Sequence, residues 1–380
     1  MKIILVTELY DELNNGTTMT TYRLAEALKK RGHEVHVVSS GKLVENGYAV
    51  QSQYYPVASF FARRESYGFS RADSAVFRNA FKGADVVHFL LPMRFERLAL
   101  KTARAMGIPC TSAFHLQPEN ITYAIHMPWE WLSRALYRHF YRSFYRYFTQ
   151  IHCPTQFIAD RLRENGYTQK LHVISNGVDE DFTPGPAERE SGTFRILMTG
   201  RLAPEKRQNI LIDAVTKSRY SDRIQLFLAG KGSCASALAR QGARLKHRPV
   251  VGFYDKTDLI RLIRSCDLYV HASCIEIEAI SCMEAFACGL VPVICDSPKS
   301  ATTQFALDKR CLFRPDDPAD LAAKIDYWIE HPKEKAALSE KYARYAENFS
   351  VSRSAERMEQ MFLEAVETAG EQKRIKGGKA

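Results

Sequence analysis

No stretch of this chain approaches the roughly 20 consecutive apolar residues that a helix needs to cross a bilayer. No Cys-x-x-Cys pair occurs among its nine cysteines. An odd count, with Cys282, Cys288 and Cys295 inside apolar runs, argues against a disulfide framework or a zinc site and for free thiols in a reducing cytoplasm. Neither half carries Gly-x-Gly-x-x-Gly after a strand, which removes the fingerprint of a dinucleotide-dependent oxidoreductase. The N-terminal run Ile3-Ile4-Leu5-Val6 follows a single lysine and precedes no small-residue cleavage site, so it reads as a buried strand rather than a leader. Acidic residues are the scarcer sign. Against 43 Asp and Glu stand 53 Lys and Arg, and a net charge of +10 favours an anionic partner: a nucleotide, a nucleic acid or a membrane surface.

What is present is a long, patterned, globular sequence. At 380 residues and 46% hydrophobic, two domains are the natural expectation. Strand candidates lie at 2–8, 34–40, 84–91, 110–116, 150–155 and 171–176, then at 194–200, 224–230, 249–253, 268–273 and 291–296. Helical spacing fills the intervals, most clearly at 17–31 and 206–218. Runs such as Ile196-Leu197-Met198 are apolar throughout, as strands covered on both faces should be. Two such alternating sets predict an α/β chain of two Rossmann-like domains with parallel sheets. Pro184-Gly185-Pro186, set among polar residues, marks a linker at 179–192 between domains at 1–178 and 193–351. A helix is expected at 352–368, and the Gly- and Lys-rich residues 369–380 read as a disordered tail.

The most specific motif pairs Glu276 with Glu284, followed by Ala285-Phe286-Ala287-Cys288-Gly289 and the apolar run Leu290–Val293. The spacing places one carboxylate in a loop and the other two turns into a helix, both at the carboxyl edge of a sheet, where ligands bind in such folds. The start of that helix, Ile280 and Ser281, offers free N–H groups to a diphosphate. Thr199-Gly200-Arg201-Leu202-Ala203-Pro204-Glu205-Lys206 follows a strand, so Arg201 and Lys206 reach the same edge and can stabilise charge on a departing diphosphate. Gly230-Lys231-Gly232 ends another strand. The alternative for the glutamates is an amphipathic helix with solvated carboxylates, and for the cations a surface charge pair. Asp179-Glu180-Asp181 is an Asp-x-Asp candidate for a hard cation, but it opens a polar linker and the two cations already serve the diphosphate. No metal and no cofactor are expected.

In these motifs the sequence resembles the family-4 retaining glycosyltransferases of the GT-B fold, along nearly its whole length. The resemblance implies two Rossmann-like domains facing a central cleft, with the helix at 352–368 returning to the first. It implies that Glu276 holds donor-sugar hydroxyls, that Glu284 binds the ribose, and that Arg201 and Lys206 clamp the diphosphate. It also implies that the main chain of Val251, Gly252 and Phe253 reads the nucleobase, and that His115 lies near the donor sugar beside the cleft. Gly16, in a loop where the family commonly has two glycines, lets the backbone approach a ligand. Asn176 begins a matching Asn-Gly-Val-Asp run near the hinge. The family often has Gly-Phe-Gly after the first glutamate, and here Ile277-Glu278-Ala279 stands instead, leaving Glu278 as an alternative carboxylate.

On the acceptor side, 129–150 reads as one helix with Arg134, Arg138, Arg142 and Arg146 at four-residue steps, a single basic stripe. Trp129, Trp131, Phe140, Tyr141, Phe144, Tyr145 and Phe148 accompany it, and Phe60-Phe61-Ala62-Arg63-Arg64 offers a second basic-aromatic patch. Such faces suit an anionic membrane; the alternative is a helix with core aromatics and solvated arginines. The resemblance is strongest to members that glucosylate diacylglycerol. The reading is therefore transfer of a hexose, glucose from UDP-glucose, to a membrane lipid by a protein peripheral on the inner face of the cell membrane, with no nucleic-acid partner. A soluble or polysaccharide acceptor, or a nucleotide-sugar epimerase or phosphorylase of the same two-domain form, is the rival.

Overall fold

The computed structural model describes residues 1–11, 16–45, 47–56, 59, 68–187 and 192–377, with side chains described to Glu371. The chain divides into two compact units, Met1–Asn176 with Val351–Ala380, and Gly177–Ser350.

Apolar runs covered on both faces become parallel strands in each unit. In the first these are β1 (Lys2–Leu9), β2 (Glu34–Ser40), β5 (Val86–Phe89), β6 (Cys110–Ala113), β7 (Gln150–Cys153) and β8 (Lys170–Val173), with β3 (Ser52–Gln53) and β4 (Phe69–Ser70) as a separate antiparallel pair. The sheet order is β2-β1-β5-β6-β7-β8. The helix Val351–Gly377 returns to this unit, where Ala355, Met358, Met361 and Phe362 share a core with Leu24 and Leu28 of the helix Gly16–Lys30.

The second unit holds β9 (Phe194–Thr199), β10 (Ile224–Ala229), β11 (Val250–Gly252), β12 (Leu268–His271), β13 (Pro292–Cys295) and β14 (Leu312–Phe313), in the order β11-β10-β9-β12-β13-β14. The strand sequence reverses between β9 and β12, and in the first unit between β1 and β5. Loops leaving the carboxyl ends of such neighbours run apart and open a crevice, the place where ligands bind in open α/β sheets.

Several expectations change. The described part of the expected linker, 179–187, packs on the second unit: Phe182 is buried in that unit's core, and Arg264 Nε donates to the Thr183 carbonyl at 2.8 Å. Residues 188–191 of that segment lie outside the described residues. The expected tail is helical as far as Gly377, because Glu371-Gln372-Lys373-Arg374 are good helix formers despite the flanking glycines. The strands β3, β4 and β14 have two residues each, too few for a periodic signal.

The crevice end of the first unit contains an unusual pair. Glu8, near the end of β1, and Glu96, in the first turn of the helix Arg94–Ala105, are both buried. Burial pushes the Glu8 carboxyl up to about 7 although the Ser70 and Phe95 amides favour its charged form. Burial, reinforced by Glu8, pushes Glu96 well above the carboxylate range. Folding therefore takes up protons here, so this pair stabilises most below the unfolded pKa near 4.5 and its contribution is lost as pH rises toward 7 and beyond. Glu96→Gln should be more stable than the parent at pH 8, with the difference vanishing at pH 4. Chemical denaturation at the two pH values checks this, and equal gains at both would remove the ionisation as the cause.

Candidate functional site

The site in the second unit is built where its strand order reverses. From β9 the chain passes through Gly200 into a loop that comes very close to the loop after β10. A Cβ on Gly230 would stand 1.9 Å from the Gly200 carbonyl oxygen, so only glycine fits there. The loop continues into the 3-10 turn Pro204–Lys206. Arg201 Nη2 lies 3.0 Å from Glu205 Oε1, and Gln208 Nε2 donates to the Arg201 carbonyl at 2.7 Å. Lys206 Nζ then reaches Glu276 Oε1 at 2.5 Å.

Glu276 comes from the loop after β12. Its carbonyl accepts from the Ala301 amide at 2.8 Å, which fixes the loop, and His271 Nε2 lies 3.2 Å from the same Oε1. Burial alone would push this carboxyl up, but Lys206 and then His271 outweigh it and hold it well below the usual carboxylate range. Glu276 is thus a fixed, ionised acceptor, suited to receive hydrogen bonds from hydroxyls. Ala279, at φ 55°, adopts the left-handed conformation that glycine takes most easily, which gives a physical reason for the family's glycine here. The helix Ile280–Ala287 follows, with Ser281 in its first turn and Glu284 in its second rather than two full turns inside. Glu278 is 3% exposed, between the two.

Val251 and Gly252 end β11, and the Gly252 carbonyl accepts from Gly230 N at 2.7 Å. Phe253 beyond them is 55% exposed, with Lys231 Nζ 4.2 Å above its ring. Asp179 and Asp181 do converge, but on Lys256, whose Nζ lies 3.3 and 2.6 Å from their carboxylates. Among the described residues no group of three potential ligands is placed to hold a metal ion. Sequence reasoning missed His271, since a lone histidine ending a buried strand carries no pattern.

The remaining candidates belong to the first unit. Gly16 begins its first helix, while Asn14 and Asn15 lie outside the described residues. Asn176 is the last residue of this unit's main segment. His115 sits two residues beyond β6, its ring edge-on to His152 with centroids 5.3 Å apart. Burial, with His152 adding to it, pushes the His115 imidazole well below its ordinary value, so it is neutral near pH 7.

The arginine stripe is shorter than its spacing implied. The helix covers Glu130–Ser143 and breaks at Phe144, where φ is −145° and ψ −65°; Arg146 lies on the following turn, Tyr145–Tyr147. The cause is packing: Phe144, Tyr145 and Phe148 turn into the core, Phe144 edge-on to Phe89. Tyr137 and Phe140 are buried as well, so most of these aromatics are core. The four arginines are exposed, Arg134 paired with Glu130 at 2.6 Å. Trp129 and Trp131 are 49% and 62% exposed and stack on one another. Exposed Tyr147 lies beneath both Arg104 and Arg146, 4.7 and 5.1 Å from its centroid. Phe60–Arg64 lie outside the described residues. Among those described, no helix is long and apolar enough to cross a membrane.

Comparison with known proteins agrees with this architecture. Residues 14–182 match the model of Glycosyltransferase Family 4, and residues 179–348 that of Glycosyl transferases group 1. An alpha-monoglucosyldiacylglycerol synthase of Streptococcus pneumoniae is 23% identical over 77% of this chain and 70% of its own length. A GDP-mannose-dependent alpha-mannosyltransferase of Corynebacterium glutamicum is 25% identical over 77% of this chain and 72% of its own. The solved structure of Anabaena Alr3699/HepE, in complex with UDP and glucose, superposes with a TM-score of 0.73 at 18% identity over 96% of this chain and 100% of that one. The chain belongs to the glycosyltransferases that join a family 4 domain to a group 1 domain in the GT-B fold.

Proposed function

We propose that this glycosyltransferase moves glucose from UDP-glucose, with retention at the anomeric carbon, onto a membrane lipid such as diacylglycerol. The observation that carries the reading is the Lys206–Glu276–His271 cluster at the reversal of strand order. A cation suited to a diphosphate lies there one contact away from an ionised carboxylate suited to sugar hydroxyls, which supports the reading. Arg201 and Lys206 stabilise the negative charge that grows as the sugar–phosphate bond breaks. Glu276 holds the sugar and Glu284 holds the ribose, while Ile280 and Ser281 present the helix N-terminus to the diphosphate. No nucleophilic side chain stands out. The acceptor hydroxyl attacks from the face the phosphate leaves, and the departing phosphate oxygen takes its proton. Glucose and diacylglycerol are favoured by the name of the streptococcal relative; the corynebacterial one supports a GDP-mannose donor as the second reading.

The donor assignment is checked by kinetics of nucleotide release over a panel of UDP- and GDP-sugars. Glu284→Ala should raise the donor KM with a smaller effect on kcat, whereas Glu276→Ala should lower kcat by about 100-fold, as loss of a charged hydrogen bond in the transition state does. Trivial effects from both would sink the pair.

The same release assay should survive EDTA, because the cations meet the diphosphate and Asp179 and Asp181 are already paired with Lys256. Activity lost to the chelator and restored by magnesium or manganese would return those aspartates to the site.

The proposed membrane-facing surface has exposed indoles at Trp129 and Trp131 and exposed cations at Arg134, Arg138, Arg142 and Arg146. Indoles favour the wet–apolar boundary of a bilayer, and each nearby cation adds about 1 kcal/mol over anionic lipid. Replacing the four arginines with glutamine should weaken binding to phosphatidylglycerol vesicles by up to a few kcal/mol, discounted for Arg134 because of Glu130. Donor binding should hold. Unchanged sedimentation with vesicles would make the arginines an ordinary solvated face.

A further inference from the structure

Behind Glu276 runs a chain of polar groups that stands apart from the proposed donor contacts. His271, 1% exposed, has Nε2 3.2 Å from Glu276 Oε1 and Nδ1 3.2 Å from the Tyr269 hydroxyl. Tyr269 is fully buried; its hydroxyl lies 3.2 Å from Thr199 Oγ1 and donates to Ser281 Oγ at 3.2 Å. Thr199 ends β9 immediately before the loop that carries Arg201 and Lys206. Ser281 stands in the first turn of the helix that carries Glu284. One phenolic hydroxyl therefore ties together the three segments that supply the diphosphate cations, the sugar carboxylate and the ribose carboxylate.

Both contacts of the Glu276 carboxylate fall on Oε1: Lys206 at 2.5 Å and His271 at 3.2 Å. In the proposed reading a donor diphosphate would compete with Glu276 for Lys206. With the lysine turned to the phosphate, His271 would be the contact left on Oε1, and Oε2 would be left for the sugar. A carboxylate held on one oxygen by a buried ring keeps its orientation through that exchange. The ring in turn keeps its own only if its far nitrogen is held, which is the place of Tyr269. A buried hydroxyl costs desolvation that phenylalanine would avoid, and here three polar neighbours offset that cost.

We propose that His271 and Tyr269 are positioning residues for glycosyl transfer, holding Glu276 in register with the diphosphate loop and the helix Ile280–Ala287. The proposal rests on the reading that Glu276 contacts the donor sugar. Neither residue touches substrate in it; both act through the carboxylate.

The test is a double-mutant cycle of Tyr269→Phe and Glu276→Gln, read on whichever of UDP-glucose and GDP-mannose the parent turns over. Vesicles of phosphatidylglycerol with diacylglycerol serve as acceptor. Tyr269→Phe should lower kcat about tenfold, the scale of one displaced hydrogen bond in the transition state. It should leave the affinity for the free nucleoside diphosphate unchanged, since that ligand has no sugar for Glu276 to hold. In the Glu276→Gln background, Tyr269→Phe should cost little more, because the group it positions is already impaired. His271→Gln, whose amide can still donate to Glu276, should retain more kcat than His271→Leu. A parental kcat in Tyr269→Phe overturns the proposal. So does a loss of diphosphate affinity equal to the loss in kcat, which marks a merely structural role, or full additivity in the cycle. A Glu276→Gln enzyme as active as the parent overturns instead the reading of Glu276 itself, and the two failures are thereby told apart.

Discussion

The partly buried carboxylate of Glu276, its side chain 12% exposed, is the constraint around which the second unit's site is arranged. An ionised carboxylate removed from water is tolerated only where cations and hydrogen bonds replace its hydration. Lys206 and His271 do so from two different strands' ends, and their convergence requires the loops after β9 and β12 to meet. The close approach of Gly230 to Gly200 brings the β10 loop against the same place. The charge that would hold a sugar is thus also what draws the loops of the site together.

The reversal of strand order explains why these loops, and not others, form the site. Elsewhere in a doubly wound sheet successive connections leave the carboxyl edge in the same sense and cover one another. Only between β9 and β12 do they part, so a lysine seven residues beyond the end of one strand and a glutamate five residues beyond the end of the other can face a shared space. Asp179 and Asp181, two residues apart and both acidic, precede the unit's first strand in the chain and are drawn to Lys256 instead.

Much of this was legible in the sequence because long apolar runs and helical spacing survive folding unchanged. Arg201, Lys206, Glu276 and Glu284 could be named because charged residues at fixed distances from strand ends leave a pattern. What escaped was set by contacts across the fold. Phe144 ends its helix because it packs edge-on to Phe89, a residue 55 positions earlier by number, and that removes Arg146 from the stripe. The aromatics flanking the arginines suited a membrane face and a core equally by composition; burial decided for the core at Tyr137, Phe140, Phe144, Tyr145 and Phe148. His271 and Tyr269 gave no signal, since alternate residues of a four-residue buried strand look the same whether they bond or merely pack. Ala279 stood out only as a departure, and its left-handed backbone gives that departure its meaning.

The two units place carboxylates at comparable points of their sheets and treat them oppositely. Glu8 is the last residue but one of β1, beside the reversal between β1 and β5, as Glu276 follows β12 beside the reversal between β9 and β12. Desolvation acts on both in the same direction. Glu276 has Lys206 and His271 within reach and remains charged. Glu8 has a second acid, Glu96, and backbone amides, and burial carries it up toward neutrality. One unit therefore holds an anion ready to accept hydrogen bonds from hydroxyls. The other holds a carboxyl pair that retains protons at the pH where the first is fully ionised. The difference comes from the neighbours and not from the fold, which is the same alternation of strand and helix in both. A fold of this kind supplies the crevice twice, and the chemistry of each crevice is written by which charges the adjoining loops carry into it.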